Sequence, residues 1–289
     1  MSKKHIGTFY IFISAILFSL GGLCIKLLPW TPLSINSGRS IISVTLIGTY
    51  MYIRRHKLRF NRYVLLGSLC MSATTTLYVF ANKLTTAANT IVLQFTAPIF
   101  IILFMWLFYK NKPKRLDVIT CVIVFGGIIC FFIDGLQTGG MIGNLLAILS
   151  GATFAVVFML NTFPNADPIS SIIIGQAICA VVGIPFIAQE TDFQTQTLVI
   201  ILILGVFQLG LAYIFFSEGL KSTHPVTASL VSGVEPVMNP LLTVIFYGEK
   251  ISKAALPGGI IVIITIVIYN ILKSKSAAKK HKSFIINKT

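Results

Sequence analysis

The chain has 289 residues, 55% of them hydrophobic and only 11% charged, with a mean hydropathy of +0.88. That balance excludes a water-soluble globular domain and indicates an integral membrane protein. A net charge of +15 raises nucleic acid as a partner, but the basic residues gather between apolar runs and in the tails, a distribution that argues for topology instead.

In chain order the apolar runs are Ile6 to Leu28, Leu33 to Ile53, Tyr63 to Asn82, Ala87 to Tyr109 and Leu116 to Ile133. Five more follow: Met141 to Leu160, Ile169 to Ile187, Leu198 to Ser217, Val226 to Tyr247 and Ala254 to Leu272. Each is close to the roughly 20 residues that cross about 30 Å of hydrocarbon. The expected fold is therefore an all-α integral membrane protein with ten transmembrane helices. The first run follows Lys3 and Lys4 but is too long for the apolar part of a signal peptide, and it reads as a retained helix.

With ten spans and the N-terminus inside, the inner loops and tails hold 18 Lys and Arg and the outer loops hold 4 (Lys26, Lys83, Lys250, Lys253). The remaining one, Arg39, is inside the second span. The positive-inside rule then puts both termini in the cytoplasm, and the basic excess meets anionic lipid heads. Cys24, Cys70, Cys121, Cys130 and Cys179 all fall within spans with no C-x-x-C pair, so neither a disulfide framework nor a metal site is expected.

The chain is written twice. At an offset of 136, Gly7, Ser14, Phe18 and Pro32 fall on Gly143, Ser150, Phe154 and Pro168. At an offset of 138, Pro98 falls on Pro236 and "FYKNK" from Phe108 falls on "FYGEK" from Phe246. Two five-helix halves follow, and an odd number of spans per half makes the second copy enter the membrane from the opposite side. Such inverted repeats are characteristic of secondary transporters, with the site near the midplane where the repeats meet. The expected units are residues 1–137, residues 138–273 and a basic tail over 274–289.

The segments "LYVFANKLTTAANTIVLQFTAPIFIILFMWLFYKNK" and "AYIFFSEGLKSTHPVTASLVSGVEPVMNPLLTVIFYGEK" resemble the two EamA-like repeats of the drug/metabolite transporter superfamily. The resemblance covers nearly all of residues 6–272. It implies a carrier of small metabolites with its cavity lined by the first, third and fourth helices and their partners, the sixth, eighth and ninth. The first half departs from the pattern in having Asn111 where the second has Glu249, which suggests a helix-end role for that Glu.

In the ninth span, "GVEPVMNP" places Glu235 about 14 Å along a helix, near the midplane. A carboxylate there must be protonated, paired or facing water. Ser229, Ser232, Glu235 and Asn239 follow at steps of three, three and four, on one helical face. Pro236 and Pro240 lack an N–H and free the carbonyls four residues earlier, which a membrane tolerates only in protein or beside a wet cavity. Glu235 suits a proton or cation site or a ligand for a substrate amine; it equally suits a buried carboxylate bonded to neighbouring helices.

In the fourth span Pro98 frees the carbonyl of Gln94, which shares a face with Thr90 and Ala97. Thr75, Tyr78 and Asn82 share a face in the third span, and Gln208, Tyr213 and Ser217 are the polar residues of the eighth. Either substrate contact or helix-to-helix hydrogen bonding fits them. Arg39 could bind a substrate carboxylate, pair with Glu235, or be snorkelling or carbonyl-bonded. Lys26 and Lys83 read as snorkelling anchors, Glu218 as a partner for Lys221, and Phe18 with Phe154 as cavity walls. Gly126–Gly127 and Gly258–Gly259 suggest close helix contact, within one chain or across a dimer.

No H-E-x-x-H spacing and no pair of carboxylates within one span supports an enzyme, and no cofactor or metal is implied. A channel needs a filter or charged rings, which paired mid-helix prolines do not supply. The expected function is alternating-access transport of an amino acid or related amphipathic metabolite across the plasma membrane, with export the expected direction. Protons are a candidate coupling ion and lipids the surrounding partner. A proton-independent facilitator and a drug or organic-cation exporter are the alternatives, as monomer or homodimer.

Overall fold

The computed structural model describes the backbone of residues 3–132, 140–238 and 255–286, and side chains over 5–130, 140–238 and 257–273. Among these residues the chain is all helical. Six helical segments are long and apolar enough to cross a membrane: His5–Leu27, Arg62–Leu84, Ala87–Tyr109, Met141–Phe158, Pro168–Ile187 and Thr195–Leu220. The chain is a multi-pass membrane protein.

The first apolar run is not one continuous helix. It is α1 (Lys3–Phe18), a turn at Ser19 and Leu20, and α2 (Gly21–Leu27). The Ser19 hydroxyl donates to the Ile16 carbonyl at 2.5 Å, and Gly21 lets the Gln208 amide in so closely that a Cβ would meet its Nε2 at 3.0 Å. Local side-chain bonding of this kind competes with the helical ladder, so no proline is needed for the break.

α3 (Pro32–Ile53) begins with Pro32 at its first position and Thr31 as N-cap, the Thr31 hydroxyl accepting from the Ser34 N–H. It turns Asn36, Arg39, Ser40 and Ser43 inward. α4 (Arg62–Leu84) is capped by Asn61, whose side chain accepts from Tyr63 and Val64. The fourth run is two helices, α5 (Ala87–Gln94) and α6 (Ala97–Tyr109), and α7 (Arg115–Phe132) follows.

In the second part come α8 (Met141–Phe158) and α9 (Pro168–Ile187). The eighth run departs from a plain α-helix: α10 (Thr195–Ile203) passes into a π-helical stretch, Leu204–Leu211, before α11 (Ala212–Leu220). α12 (Pro225–Val231) and α13, helical over the described residues 234–238, are separated by a turn at Ser232 and Gly233. α14 (Ala255–Ile286) is the last element.

The main packing pairs are α3 with α9, α4 with α8 and with α9, α1 with α11, and α7 with α14. The last pair is where one glycine doublet acts: a Cβ on Gly127 would meet Val262 at 2.9 Å and the Gly258 carbonyl at 3.2 Å, so this contact is within one chain. Polar residues also tie helices together, as when Ser40 donates to Gln176 at 2.7 Å and Ser37 to the Ala180 carbonyl. All five cysteines are free thiols.

Lys26 and Lys83 each meet a carbonyl at a neighbouring helix end: Lys26 Nζ donates to the Thr85 carbonyl at 2.7 Å and Lys83 Nζ to the Leu28 carbonyl at 2.5 Å. Glu218 does meet Lys221, and it also accepts from Tyr50 OH at 3.1 Å.

Candidate functional site

The two helix breaks meet. Pro98 sits at the second residue of α6, and the turn at Phe95 and Thr96 replaces the helical bonds a proline cannot make. Pro236 sits in α13, just past the turn at Ser232 and Gly233. Gly233 is packed so tightly on Phe95 that a Cβ would reach the ring at 2.9 Å, which places the breaks side by side. The Ser232 carbonyl is not left bare, since it accepts from the Glu235 N–H at 2.9 Å in a tighter turn. The Gln94 carbonyl lies against Gly151, where a Cβ would come within 2.6 Å.

Two connected recesses open around these breaks. One is lined by Gln94, Phe95, Pro98, Phe154, Phe158, Ser229, Ser232, Glu235 and Pro236. The other is lined by Phe18, Arg39, Thr74, Thr75, Tyr78, Gln94, Phe154, Gln208, Tyr213 and Glu235. Gln94, Phe154 and Glu235 belong to both, so the recesses are lobes of one central cavity. The free space in the two lobes is only about 20 and 30 Å³, room for about one water molecule each, so the side chains nearly fill the cavity in this conformation.

Arg39 is fully buried and held by three acceptors: Nη1 donates to Gln208 Oε1 at 3.1 Å, and Nη2 to Asn36 Oδ1 at 3.0 Å and to the Thr75 carbonyl at 3.4 Å. Its Nε makes no hydrogen bond among the described residues. Asn36 is itself fixed, its Nδ2 donating to Thr76 Oγ1 at 3.0 Å. Gln208 stands in the π-helical stretch, whose extra residue per turn re-aims side chains locally.

Glu235 lines both lobes, yet neither it nor Arg39 takes part in an ion pair among the described residues. The expected alternative of a direct Arg39–Glu235 pair is therefore not adopted: the guanidinium is already occupied by neutral acceptors of α3, α4 and the π-helical stretch. Full burial of Arg39 also removes the snorkelling alternative. The cavity thus carries one basic and one acidic side chain that do not pair with each other.

An aromatic wall closes part of this space. Phe18 and Tyr213 have ring centroids 4.9 Å apart, Phe154 and Phe158 4.6 Å, and Phe154 and Phe216 5.7 Å. Gln94 donates to Ser150 Oγ at 2.8 Å, and Ser150 donates on to the Thr74 carbonyl at 2.9 Å, which anchors the α5 break to α8 and α4.

The structure brings Glu235, Ser232, Gln94, Tyr78, Gln208, Tyr213 and Arg39 to the cavity together with Pro98 and Pro236. Asn82 is instead buried outside the lining, its amide making no hydrogen bond of ordinary geometry among the described residues, and Ser217 bonds to the Ile214 carbonyl. Asn239, Pro240 and Glu249 lie outside the described residues. Asn36 and Thr74 escaped the reading of the sequence; Asn36 was findable, since it stands three residues before Arg39 and so on the same helical face.

The profile of the EamA-like transporter family matches residues 5–133 and again 141–271. A Bacillus subtilis protein named "Uncharacterized transporter YwfM" is 25% identical over 294 residues, covering 97% of each chain. An "Uncharacterized transporter" of Clostridium kluyveri is 25% identical over 233 residues, 75% of this chain and 74% of that one. Mouse "Solute carrier family 35 member G1" is 26% identical over 161 residues, 53% of this chain and 44% of that one. A solved crystal structure superposes with a TM-score of 0.78 at 17% identity, over 92% of this chain and 97% of that one, a likeness of fold.

Proposed function

The chain belongs to the EamA-like transporter family, and from that premise we propose that it is an alternating-access carrier for a small zwitterionic metabolite, an amino acid or a close relative. The observation that carries the reading is the unpaired opposition of Arg39 and Glu235 in one central cavity. A substrate with a carboxylate and an amine satisfies both: the carboxylate accepts from the Arg39 guanidinium, and the ammonium donates to Glu235. Charge-assisted bonds of this kind are the strong ones, more so where water is scarce.

The architecture we infer is ten helices in two inverted halves, residues 1–137 and 138–273, with both termini in the cytoplasm of a bacterial plasma-membrane protein and the tail over 274–289 at the lipid surface. The packing pairs support it. Numbering the runs one to ten and exchanging each with its counterpart five places along, the first-with-eighth pair (α1·α11) becomes the sixth-with-third pair (α8·α4). Likewise second-with-eighth, α3 on the π-helical stretch, becomes seventh-with-third, α9 on α4. Rocking of one half against the other around the joined helix breaks would expose the cavity to each side in turn. Export is the direction we assign.

The aromatic wall beside Glu235 favours one second reading, export of flat organic cations held by Glu235 and the rings, without a role for Arg39.

Flux in proteoliposomes of the purified protein tests both, with labelled amino acids, organic cations and nucleosides, with and without a pH gradient. Amino-acid flux lost in Arg39→Met and Glu235→Gln supports the zwitterion reading. Cation flux that survives Arg39→Met supports the second. Flux of either class that is indifferent to both substitutions would sink the site. Acceleration by the gradient that Glu235→Gln abolishes assigns proton coupling to that carboxylate.

A further inference from the structure

Away from the central cavity, α1 and α14 both pack on α12 without extensive contact with each other, and a groove of about 440 Å³ runs between them. Phe9 and Phe12 form one wall, Ile263 and Val267 the other, and Val234 part of the floor. Phe9 is 52% and Val267 51% exposed, so the groove is open along its side.

The groove has a direction. Its lining includes His5 and Thr8 on α1, Thr227 on α12, and Asn270 and Lys273 on α14 at one end, with Phe12, Val234 and Ile263 at the other. α1 and α12 start at the polar end while α14 runs toward it, so three chain segments agree on one polarity. From Ile263 to Lys273 a helix rises about 15 Å, half of the roughly 30 Å hydrocarbon core. An apolar trough one leaflet long with a polar end has the proportions of a lipid tail and its head.

The charge at that end selects the head. Lys273 also lines a neighbouring recess of about 430 Å³ with Lys112, Lys114, His224 and Asp117. Lys273 Nζ is 2.6 Å from Asp117 Oδ1 and 2.6 Å from Tyr269 OH, which hold it at the junction of groove and recess. Three lysines face one carboxylate there, an excess of positive charge where a lipid phosphate would lie.

We propose that this groove is a binding site for one anionic phospholipid, with an acyl chain between α1 and α14 and its phosphate against Lys273, Lys112 and Lys114. The site is independent of the substrate reading, since none of these residues lines the central cavity.

Native mass spectrometry of the purified full-length protein tests it, with phosphatidylglycerol and phosphatidylcholine of identical chains as probes. The expected result is one phosphatidylglycerol retained in preference to phosphatidylcholine. Lys112→Gln with Lys114→Gln should cut that preference ~10-fold or more. Val267→Trp, which fills the groove with an apolar ring, should displace the lipid while elution volume and helicity stay unchanged. Equal retention of the two lipids by the unsubstituted protein, or a preference indifferent to both variants, overturns the proposal. So does competition by inorganic phosphate, which would make the recess a free-anion site, or a dimer that Val267→Trp dissociates, which would give the groove to a second copy.

Discussion

Lys26 and Lys83 cross over to hold the end of each other's helix: Lys26 bonds the Thr85 carbonyl just past α4, and Lys83 the Leu28 carbonyl just past α2. The two bonds tie α2 to α4 at the ends of both helices. Beneath them Trp30 is buried against Phe193, with its indole N–H donating to the Asp192 carbonyl at 2.6 Å.

Lys83→Met removes the more buried of the two bonds and leaves the Leu28 carbonyl without its donor. The expected loss is about 1–2 kcal/mol, read as a melting temperature lower by roughly 2–8 °C in detergent. An unchanged melting curve would show that the crossed lysines contribute nothing to stability.

The same end of the molecule carries a pH dependence. Burial pushes the Glu190 carboxyl up, but hydrogen bonds from Ser34 and from the backbone and hydroxyl of Thr31, together with the Lys83 charge, outweigh it and hold the group below its ordinary value of 4.5. A carboxyl depressed in the folded state contributes stability above its unfolded pKa and loses it as pH falls through the folded value. Melting temperature measured from pH 7 downward should therefore fall below about pH 4.5, and Glu190→Gln should flatten that limb. A variant as acid-sensitive as the unsubstituted protein would remove Glu190 from the account.

Asn36 positions Arg39 through the 3.0 Å bond to Nη2 without lining the cavity. Asn36→Ala should raise KM about 10-fold for a substrate with a free carboxylate while changing flux of the corresponding methyl ester little. An equal effect on acid and ester would mean that Asn36 only supports the fold.

Arg39→Lys keeps the charge but cannot reach Gln208, Asn36 and the Thr75 carbonyl together, because an ammonium lacks the planar fork of the guanidinium. The expected result is a loss of transport nearly as large as in Arg39→Met, with added instability from the unpaired Gln208 and Asn36 acceptors. Near-normal flux in the Lys variant would show that only a positive charge is required there.

Much of this molecule is written in its sequence. Apolar runs of membrane length separated by basic loops specify the class, since an unpaired backbone in lipid leaves helices as the available spanning form. Pro98 and Pro236 mark two breaks in advance because a missing N–H is a covalent fact. The break at Ser19 and Leu20 and the π-helical turn at Gln208 carry no such mark: they depend on Gly21 meeting Gln208, 187 positions further along, by subtraction of the two residue numbers. The same limit applies to charge. The sequence supplied Arg39 and Glu235 as intramembrane ionisable residues, whereas only the packing of α3 beside α4 and the π-helical stretch gave Arg39 neutral partners and kept it out of an ion pair with Glu235 among the described residues. Composition and period act along one chain segment; which polar groups satisfy each other depends on distances between segments, and those are set by the tertiary structure.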